Sequence, residues 1–332
     1  MATTQGRDRA VAIDLGGTRF RVAVATSEGE IEWRTSRFTH TEQGLQPVLD
    51  NMYATIDEAL ATVDDRESVK GMGIAAPGPL DPWTGVIYNP PNMPGWDRVP
   101  LKRLFEDRYG IPVQVANDAN LAAVGEHRYG AGKGYQHLVY VTVSTGIGGG
   151  VIVDGQLLLG ARGFAGEVGH MTIDMHGERC DCGNVGCLEW LASGTSIGRR
   201  ARQMVDGGIE TALRDLAPLE ITAQRVTELA YQGDEASRQL LVEAGVAMGV
   251  GIVNLAHLFN PQRVILGGGV SLNAGPLWWD AIRETVKVRT MASCQQGLEI
   301  VAAGLGDDAG LLGGVAIATL RGSIATTGRA AA

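Results

Sequence analysis

"AVAIDLGGTRFRVAVA", residues 10–25, sets two apolar runs on either side of a Gly-Gly-Thr turn. Short apolar runs that meet at a glycine turn predict a β-hairpin. Gly16 and Gly17 allow a ligand to approach the backbone closely, and Thr18 adds a hydroxyl. The turn is therefore a candidate phosphate-binding loop, with Asp14 able to contact a magnesium ion or its waters. An ordinary hairpin turn is the alternative.

A second stretch repeats this pattern. "HLVYVTVSTGIGGGVIVDGQLLLG", residues 137–160, again places two apolar runs around a glycine turn. Hairpins that occur twice, each followed by helices, predict an α/β chain of two similar domains with a cleft between them. Apolar residues at three- and four-residue steps, or a helical pattern after a strand, predict helices at 45–63, 101–108, 119–130, 188–205, 222–231, 234–258 and 307–320.

Two further glycine turns are candidate nucleotide sites. "STGIGGG" spans residues 144–150, and "LGGG" at 266–269 follows a predicted strand. Backbone amides in such turns bind phosphate, and a turn between strand and helix can support a nucleoside. The candidate contacts are Ser144, Thr145, Gly146, Gly148, Gly267, Gly268 and Gly269. No G-x-G-x-x-G motif opens a helix after the first strand, which argues against a nicotinamide dinucleotide.

Composition and charge narrow the classes of protein further. The 332 residues are 45% hydrophobic, enough for two domains with apolar cores. A net charge of -9 without a Lys/Arg cluster disfavours nucleic-acid binding, which depends on cations facing phosphates. The first ten residues lack an apolar signal segment, and no apolar run approaches the length of a membrane span. We therefore expect a cytoplasmic protein.

Residues 117–120, Asn-Asp-Ala-Asn, follow a predicted strand and open a predicted helix. Ligand sites in α/β folds lie at this edge, and Asp118 there could take the proton from a hydroxyl that attacks a phosphoryl group. Asn and Asp are also preferred helix caps, so capping is the alternative role. Other short polar groups that could share the site are Asn92, Glu167, His170 and Glu189. Together they predict a site for a sugar or another polyol.

The segment 166–190 holds three of the chain's four cysteines and two of its six histidines. The isolated Cys294 argues against a disulfide framework, whereas closely spaced Cys and His residues in a reducing compartment indicate a metal. The C-x-C-x4-C spacing with a His suits a tetrahedral His-Cys₃ site. From the residues alone, the ligands are Cys180, Cys182 and Cys187 with His170 or His176. A redox-active loop is the alternative.

Five motifs in a fixed order carry a family resemblance: "DLGGT", "NDAN", "STGIGGG", "GEVGH" and "CDCGNVGCLE". Their order and spacing resemble the ROK family of sugar kinases and sugar-responsive repressors, from Asp14 to the last helix. The resemblance implies a two-domain actin-like ATPase (ribonuclease H-like) α/β fold, closing over sugar and ATP in an interdomain cleft. We expect an N-terminal domain at 10–118 plus 308–322, closed by the C-terminal helix. The larger domain, 119–307, would carry the nucleotide-binding turns and the zinc loop, which holds the cysteines of segment 166–190.

The resemblance also implies residue roles. Asp118 matches the family's catalytic base. The expected sugar contacts are Gly78, Asn92, Asn117, Asp118, Glu167, His170 and Glu189. The expected structural zinc ligands are His170, Cys180, Cys182 and Cys187. His170 would bind zinc through one ring nitrogen and the sugar through the other, while His176 lies in the loop that connects the ligands.

The family contains both repressors and kinases. Only thirteen residues precede Asp14, which leaves no room for the repressors' helix-turn-helix, and Asp118 is present. We therefore expect a kinase that uses ATP and Mg²⁺, with a non-catalytic sugar sensor as the alternative.

The segment 77–101 resembles the sugar-binding loop of bacterial glucokinases, so glucose is the expected substrate. N-acetylglucosamine, N-acetylmannosamine, fructose and allose are alternative substrates, and polyphosphate is an alternative donor. The resemblance further implies a homo-oligomer, a dimer or a tetramer.

Overall fold

A computed structural model describes residues 7–319, which divide into two compact units. The first unit contains the described residues up to Gly134, the segment Gly150–Ala165 and the chain from Asp307 onward. The second contains Tyr135–Gly149 and Gly166–Gly306. The expected boundaries at 118 and 308 stay a prediction, and residues 320–322 of that prediction lie outside the described residues.

The described chain alternates strands and helices. The strands are β1 (Arg9–Leu15), β2 (Arg19–Thr26), β3 (Ile31–Phe38), β4 (Val69–Ala76), β5 (Leu80–Asp81), β6 (Val86–Ile87), β7 (Val99–Pro100), β8 (Val113–Asn117), β9 (Leu138–Val143), β10 (Ile147–Val153), β11 (Gln156–Leu157), β12 (Arg263–Gly267) and β13 (Glu299–Ala302). The helices are α1 (Leu45–Ala61), α2 (Leu101–Tyr109), α3 (Asp118–Tyr129), α4 (Leu188–Ala192), α5 (Gly194–Asp206), α6 (Ala223–Tyr231), α7 (Glu235–Phe259), α8 (Gly268–Asn273), α9 (Pro276–Arg289), α10 (Ala292–Gln295) and α11 (Ala309–Thr319).

The predicted hairpin of residues 10–25 is present in the main sheet of the first unit. Its strand order is β3-β2-β1-β4-β8, with β1 antiparallel to β2. β4 runs parallel to both β1 and β8. The carboxyl ends of these three parallel strands therefore share one edge, and Asp14 and Asn117 lie there.

Helix α11 packs directly on this sheet because glycines meet at the contact. A Cβ on Gly73 of β4 would overlap the backbone of Gly314 in α11. A Cβ on Gly313 would likewise overlap the carbonyl of Leu121 in α3. The last described helix is thus fixed against both β4 and α3, with its Gly310 beside Asp14.

The second large sheet has the strand order β11-β10-β9-β12-β13. β12 runs parallel to both β9 and β13, and β10 pairs antiparallel with β11. The glycine turn of residues 144–146 joins β9 to β10, as the sequence predicts for the second hairpin. A third, small sheet, β5-β6-β7, lies in the first unit.

Helix α7 is the main core helix of the second unit. Among the described residues, it is the one helix long and apolar enough, by length and composition, to cross a membrane. The expectation that no run has this length was therefore wrong. Its apolar stretch is 67% buried inside the protein, which is typical of a core helix, and α7 packs against α9 and α6.

The helices of the second unit differ in part from the sequence prediction. The helix expected at 188–205 is two helices, because Ser193 is extended and its side chain caps α5 by accepting the Ser196 N–H. Helix α9 and strand β13 were not predicted.

Candidate functional site

The predicted phosphate loop of the first unit is a turn held by hydrogen bonds. The Thr39 hydroxyl donates to the carbonyl of Gly16 at 2.7 Å, and the Thr39 amide donates to the carbonyl of Thr18 at 2.9 Å. A Cβ on Gly17 would lie 2.9 Å from the Cβ of Asn92. Glycine at 17 therefore lets the predicted sugar contact Asn92 lie against the predicted phosphate loop.

Asp14 is partly engaged by a neighbouring cation. Its Oδ2 accepts from the guanidinium of Arg21, the residue opposite it on β2, and Nε of Arg21 lies 3.1 Å away. Arg21 Nη1 also donates to the carbonyl of Asp307 at 2.6 Å. Asp14 therefore has a fixed orientation, and only its Oδ1 is outside this ion pair for the predicted magnesium contact.

Asn117 takes the capping role that the sequence left open. Asn117 is the N-cap of α3, and its Oδ1 accepts from the amides of Ala119 and Asn120 at 3.0 and 3.4 Å. A Cβ on Gly78 would lie 3.6 Å from Asn117 Nδ2, so these two predicted sugar contacts are neighbours. The capping bonds occupy the amide oxygen and leave the Asn117 NH₂ group as the donor for a ligand.

Asp118 occupies the first position of α3. Its Oδ1 accepts from the Ala119 amide at 2.8 Å, and its side chain is exposed. A carboxylate at a helix N-terminus is stabilised by the helix dipole and the first-turn amides. A carboxylate in this position can accept a proton from a hydroxyl.

In the second unit, Glu189 contacts the turn of residues 144–146. Its Oε2 accepts the backbone N–H of Ile147 at 2.6 Å, and a Cβ on Gly146 would lie 2.5 Å from the same oxygen. The amide of Thr195 donates to the carbonyl of Thr145, so the start of α5 packs on this turn. The structure thus joins a predicted sugar contact to a predicted phosphate loop within one unit.

A short 3-10 turn, Val168–His170, holds two more predicted sugar contacts. A Cβ on Gly169 would overlap the carbonyl of Ile147, so the turn lies directly on β10. Glu167 is exposed and His170 half-buried at the ends of this turn. Both Glu167 and Glu189 are therefore presented from segments that pack on the start of β10.

The four predicted zinc ligands lie together. One ligand atom from each of His170, Cys180, Cys182 and Cys187 falls within 4.8 Å of all the others. The Cys182 and Cys187 sulfurs are 3.6 Å apart, and Cys180 Sγ lies 4.0 Å from His170 Nδ1. Tetrahedral zinc with Zn–S bonds of about 2.3 Å separates neighbouring ligands by roughly 3.7 Å, so this donor set fits the ion.

Which histidine belongs to the cluster follows from the geometry. His176 is not among the grouped ligand atoms, and its amide donates to Asp174 Oδ1 at 2.9 Å in the connecting loop. In His170 it is Nδ1 that lies near the sulfur of Cys180. A metal on Nδ1 leaves Nε2 of His170 for a second partner.

The thiols of the cluster differ in acidity. Burial, with hydrogen bonds that the Cys187 thiol makes to the neighbouring cysteines, raises the pKa of Cys187 to about 12. The backbone amide of Asn184 lowers the pKa of Cys182. A buried thiol with so high a pKa stays protonated near neutral pH unless a cation stabilises its thiolate, as a divalent metal does.

A cavity of about 890 Å³ in the second unit brings several predicted nucleotide contacts together. Ser144, Thr145 and Gly269 line it. Gly267 and Gly268 do not line the cavity. Gly268 has a φ of +85°, and a Cβ there would lie 2.5 Å from the carbonyl of Val143. These two glycines therefore let α8 begin close to β9. Gly146 and Gly148 also lie outside the lining.

Sequence reasoning missed most of the other residues that line this cavity. The lining contains one arginine, Arg202, and one glutamate, Glu228, and its other polar members are neutral. Those additional neutral polar residues are Thr195, Thr222, Gln224, Thr227 and Asn273. Thr195 belongs to α5, Asn273 to α8, and the other three to α6 or its N-cap. They carry no common motif, so only the fold brings them together.

The comparisons with known proteins agree over almost the whole chain. The model of the ROK family matches residues 10–321. The glucokinase of Thermotoga maritima is 37% identical over 309 residues, 92% of this chain and 96% of that protein. A putative xylose repressor of Caldicellulosiruptor sp. is 34% identical over 310 residues, 92% of this chain and 77% of that protein.

A solved structure gives the same result at the level of the fold. The crystal structure of a ROK family glucokinase from Streptomyces griseus in complex with glucose and AMPPNP is 34% identical. It matches with a TM-score of 0.77, over 92% of this chain and 98% of that one. The chain therefore belongs to the ROK family and has the two-domain actin-like α/β fold of its sugar kinases.

Proposed function

We propose that the protein phosphorylates a hexose with ATP and Mg²⁺, converting glucose to glucose 6-phosphate. The observation that carries this proposal is the similarity, over 92% of the chain, to a glucokinase in complex with glucose and AMPPNP. The sugar contacts would be Gly78, Asn92, Asn117, Asp118, Glu167, His170 and Glu189.

Asp118 is the proposed general base. It takes the proton from the sugar 6-hydroxyl as that oxygen attacks the terminal phosphorus of ATP. Its place at the first turn of α3 supports this role, because the Ala119 amide orients the carboxylate.

The donor is proposed to be ATP. The 890 Å³ cavity is lined by a single arginine and a single glutamate among neutral groups, which suits an uncharged nucleoside. A polyphosphate chain carries a charge on every unit and requires a row of cations. The turns around Gly16 and Thr145 would bind the phosphates, and Asp14 would contact Mg²⁺ or its waters.

The His-Cys₃ cluster is proposed to hold a structural zinc ion. With four protein ligands, the ion has no open position for water or substrate. Bound zinc would supply rigidity to the segment between Glu167 and Glu189. The zinc loop thereby keeps the two carboxylates in place for the sugar hydroxyls.

A non-catalytic sugar sensor is the second candidate, because the relatives include a putative xylose repressor at 34% identity. The two functions differ in one measurable property. A sensor binds sugar without transferring phosphate, whereas a kinase does both.

The deciding experiment is an assay of purified protein with Mg²⁺, ATP or polyphosphate, and a panel of sugars at equal concentration. The panel contains glucose, fructose, allose, xylose, N-acetylglucosamine and N-acetylmannosamine. We expect the highest kcat/KM with glucose and ATP. Binding without turnover would favour the sensor, and preference for an N-acetylated sugar would reject glucose.

We also propose that the kinase works in the cytoplasm as a dimer or tetramer, as the family resemblance suggests. Light scattering of the purified protein tests the oligomeric state, and a monomer at assay concentrations would reject that part of the proposal.

A further inference from the structure

A cluster of three residues links the zinc loop to the helices that follow it. Oε2 of Glu178, in the zinc loop, accepts from Trp190 Nε1 at 3.0 Å and from Arg199 Nη1 at 2.8 Å. Glu178 lies between the ligands His170 and Cys180 in the chain, and Trp190 directly follows Glu189. We call Glu178, Trp190 and Arg199 the Glu178 cluster.

Arg199 makes three kinds of contact within this cluster. Besides the bond to Glu178, its Nη2 donates to the backbone carbonyl of Trp190 at 3.0 Å. Its guanidinium carbon also lies 4.2 Å from the centroid of the Trp190 ring. The Arg199 side chain is 21% exposed and that of Glu178 59%, so solvent screens the contacts of Arg199 with Trp190 less than its ion pair with Glu178.

The contacts of Arg199 hold Trp190, the residue that follows Glu189. Trp190 lies in α4 and Arg199 in α5, so the cluster ties both helices to the zinc loop. From the same face of α5, the Ser196 hydroxyl donates to the Glu189 carbonyl at 2.8 Å. Rotation of α4 about its axis would break the Glu178 and Arg199 bonds to Trp190 and displace the Glu189 carboxylate.

We propose that Arg199 is a positioning residue for the sugar site, which orients Glu189 through Trp190 and Glu178 without any metal ligand taking part. This inference rests on the proposed function, in which Glu189 binds the sugar. The zinc ion and the Glu178 cluster then both hold the segment that contains Glu189. Loss of Arg199 lowers sugar affinity, while the zinc site and the phosphoryl-transfer step stay intact.

The second unit provides a matched control. Arg263, 19% exposed, lies 3.9 Å from the centroid of Tyr135 and donates to Glu299 at 2.8 Å. The Tyr135 hydroxyl donates to the same carboxylate at 3.0 Å. This cluster has the chemistry of the Glu178 cluster, but it joins β12 to β13, and none of its residues adjoins a predicted site residue in the chain.

The test compares Arg199→Ala with Arg263→Ala in the full-length, zinc-loaded protein. For Arg199→Ala we expect the glucose KM and the calorimetric glucose Kd to be about tenfold higher. This is the usual effect of losing one charge-assisted hydrogen bond, here the bond of Glu189 to the sugar. We expect kcat, ATP KM and the zinc content to stay near wild-type values. Arg263→Ala should change none of them, even if both variants melt earlier.

A second variant, Trp190→Phe, tests the same proposal if Arg199→Ala does not fold. Trp190→Phe keeps a ring beneath Arg199 but removes the Nε1 donor, and it should raise the glucose Kd by a smaller factor. A folded, zinc-loaded Arg199→Ala or Trp190→Phe protein with wild-type glucose affinity would overturn the proposal. An equal loss of affinity in Arg263→Ala would also overturn it.

Hydrogen exchange separates this inference from the kinase proposal, because it needs no substrate. The amides of α4 should exchange faster in Arg199→Ala than in Arg263→Ala, whether or not the wild-type protein phosphorylates a sugar. Unchanged exchange in α4 rejects the positioning role. Absence of turnover in the wild-type protein rejects only the kinase.

Discussion

At the scale of single residues, the motif of Asn117 and Asp118 combines a structural role with a proposed chemical one. Asn117 caps α3 with its amide oxygen, so the capping alternative is confirmed for this residue. Asp118 also accepts a backbone amide, yet its side chain is exposed at the strand-end edge of the sheet. Its assignment as general base stays a prediction, and mutation of Asp118 tests it directly.

Asp118→Asn should lower kcat by about 10² to 10⁴, the usual contribution of a general base, and leave glucose Kd nearly unchanged. The amide oxygen of asparagine can still accept the Ala119 amide, so the helix start is preserved. Steady-state kinetics and calorimetry measure the two quantities. Asp234→Asn removes a carboxylate from another helix N-terminus and serves as the control with normal kcat. Wild-type turnover in Asp118→Asn would refute the role.

Gly146→Ala should raise the glucose Kd by about 10- to 100-fold, because the new methyl group would displace Glu189 Oε2, 2.5 Å away. Binding is measured without nucleotide. Gly269→Ala is the matched control, since a Cβ there meets nothing within 4 Å. Equal glucose affinities of the two variants would show that the contact between Glu189 and the turn of residues 144–146 does not affect glucose binding.

At the scale of elements, the zinc loop and the helix caps can be tested independently of activity. Cys182→Ser should lose the metal, lower the melting temperature and weaken glucose binding together, because structural zinc contributes about 10 kcal/mol or more in small sites. Elemental analysis should find one zinc per chain in the wild type. Cys294→Ser, outside the loop, is the control. A wild-type protein without zinc would contradict the assignment.

Asp234 is the N-cap of α7, and its replacement by alanine should lower the free energy of unfolding by about 1 kcal/mol. Burial alone would raise the pKa of Asp234, but hydrogen bonds from Ser237, Ala212 and Thr211 together lower it. A carboxyl whose pKa is lowered by folding stabilises the protein above its unfolded pKa. The difference between wild type and variant in urea melts should therefore shrink as the pH falls through the folded pKa. A difference independent of pH would refute this.

The elements also show where local sequence patterns stop being informative. The strand-turn-strand pattern at 10–25 was sufficient for β1 and β2, because apolar runs and a glycine turn act locally. The break at Ser193 was missed, since residues 188–205 look continuous in hydrophobic pattern while one serine side chain ends one helix and caps the next. The contacts of Glu189 with Ile147 and of Gly17 with Asn92 join distant segments, so no local pattern predicts them.

At the scale of the whole molecule, the predicted site residues are scattered along the chain and fall in both units. Asp14, Asn92 and Asp118 belong to the first unit, whereas Glu167 and Glu189 belong to the second. Motif order and spacing sufficed to predict the ROK family, and the match over residues 10–321 confirms it. The choice of hexose depends on pocket shape, which the motifs do not encode.

The central claim is that Asp118, Glu167 and Glu189 bind one and the same hexose. A crystal structure of the zinc-loaded protein with glucose and AMPPNP tests it most directly. We predict the Asp118 carboxylate within about 2.6–3.2 Å of the glucose 6-hydroxyl, with Glu167 and Glu189 hydrogen-bonded to other hydroxyls of that ring. A glucose bound by the two glutamates with Asp118 out of reach of all its hydroxyls would contradict the account.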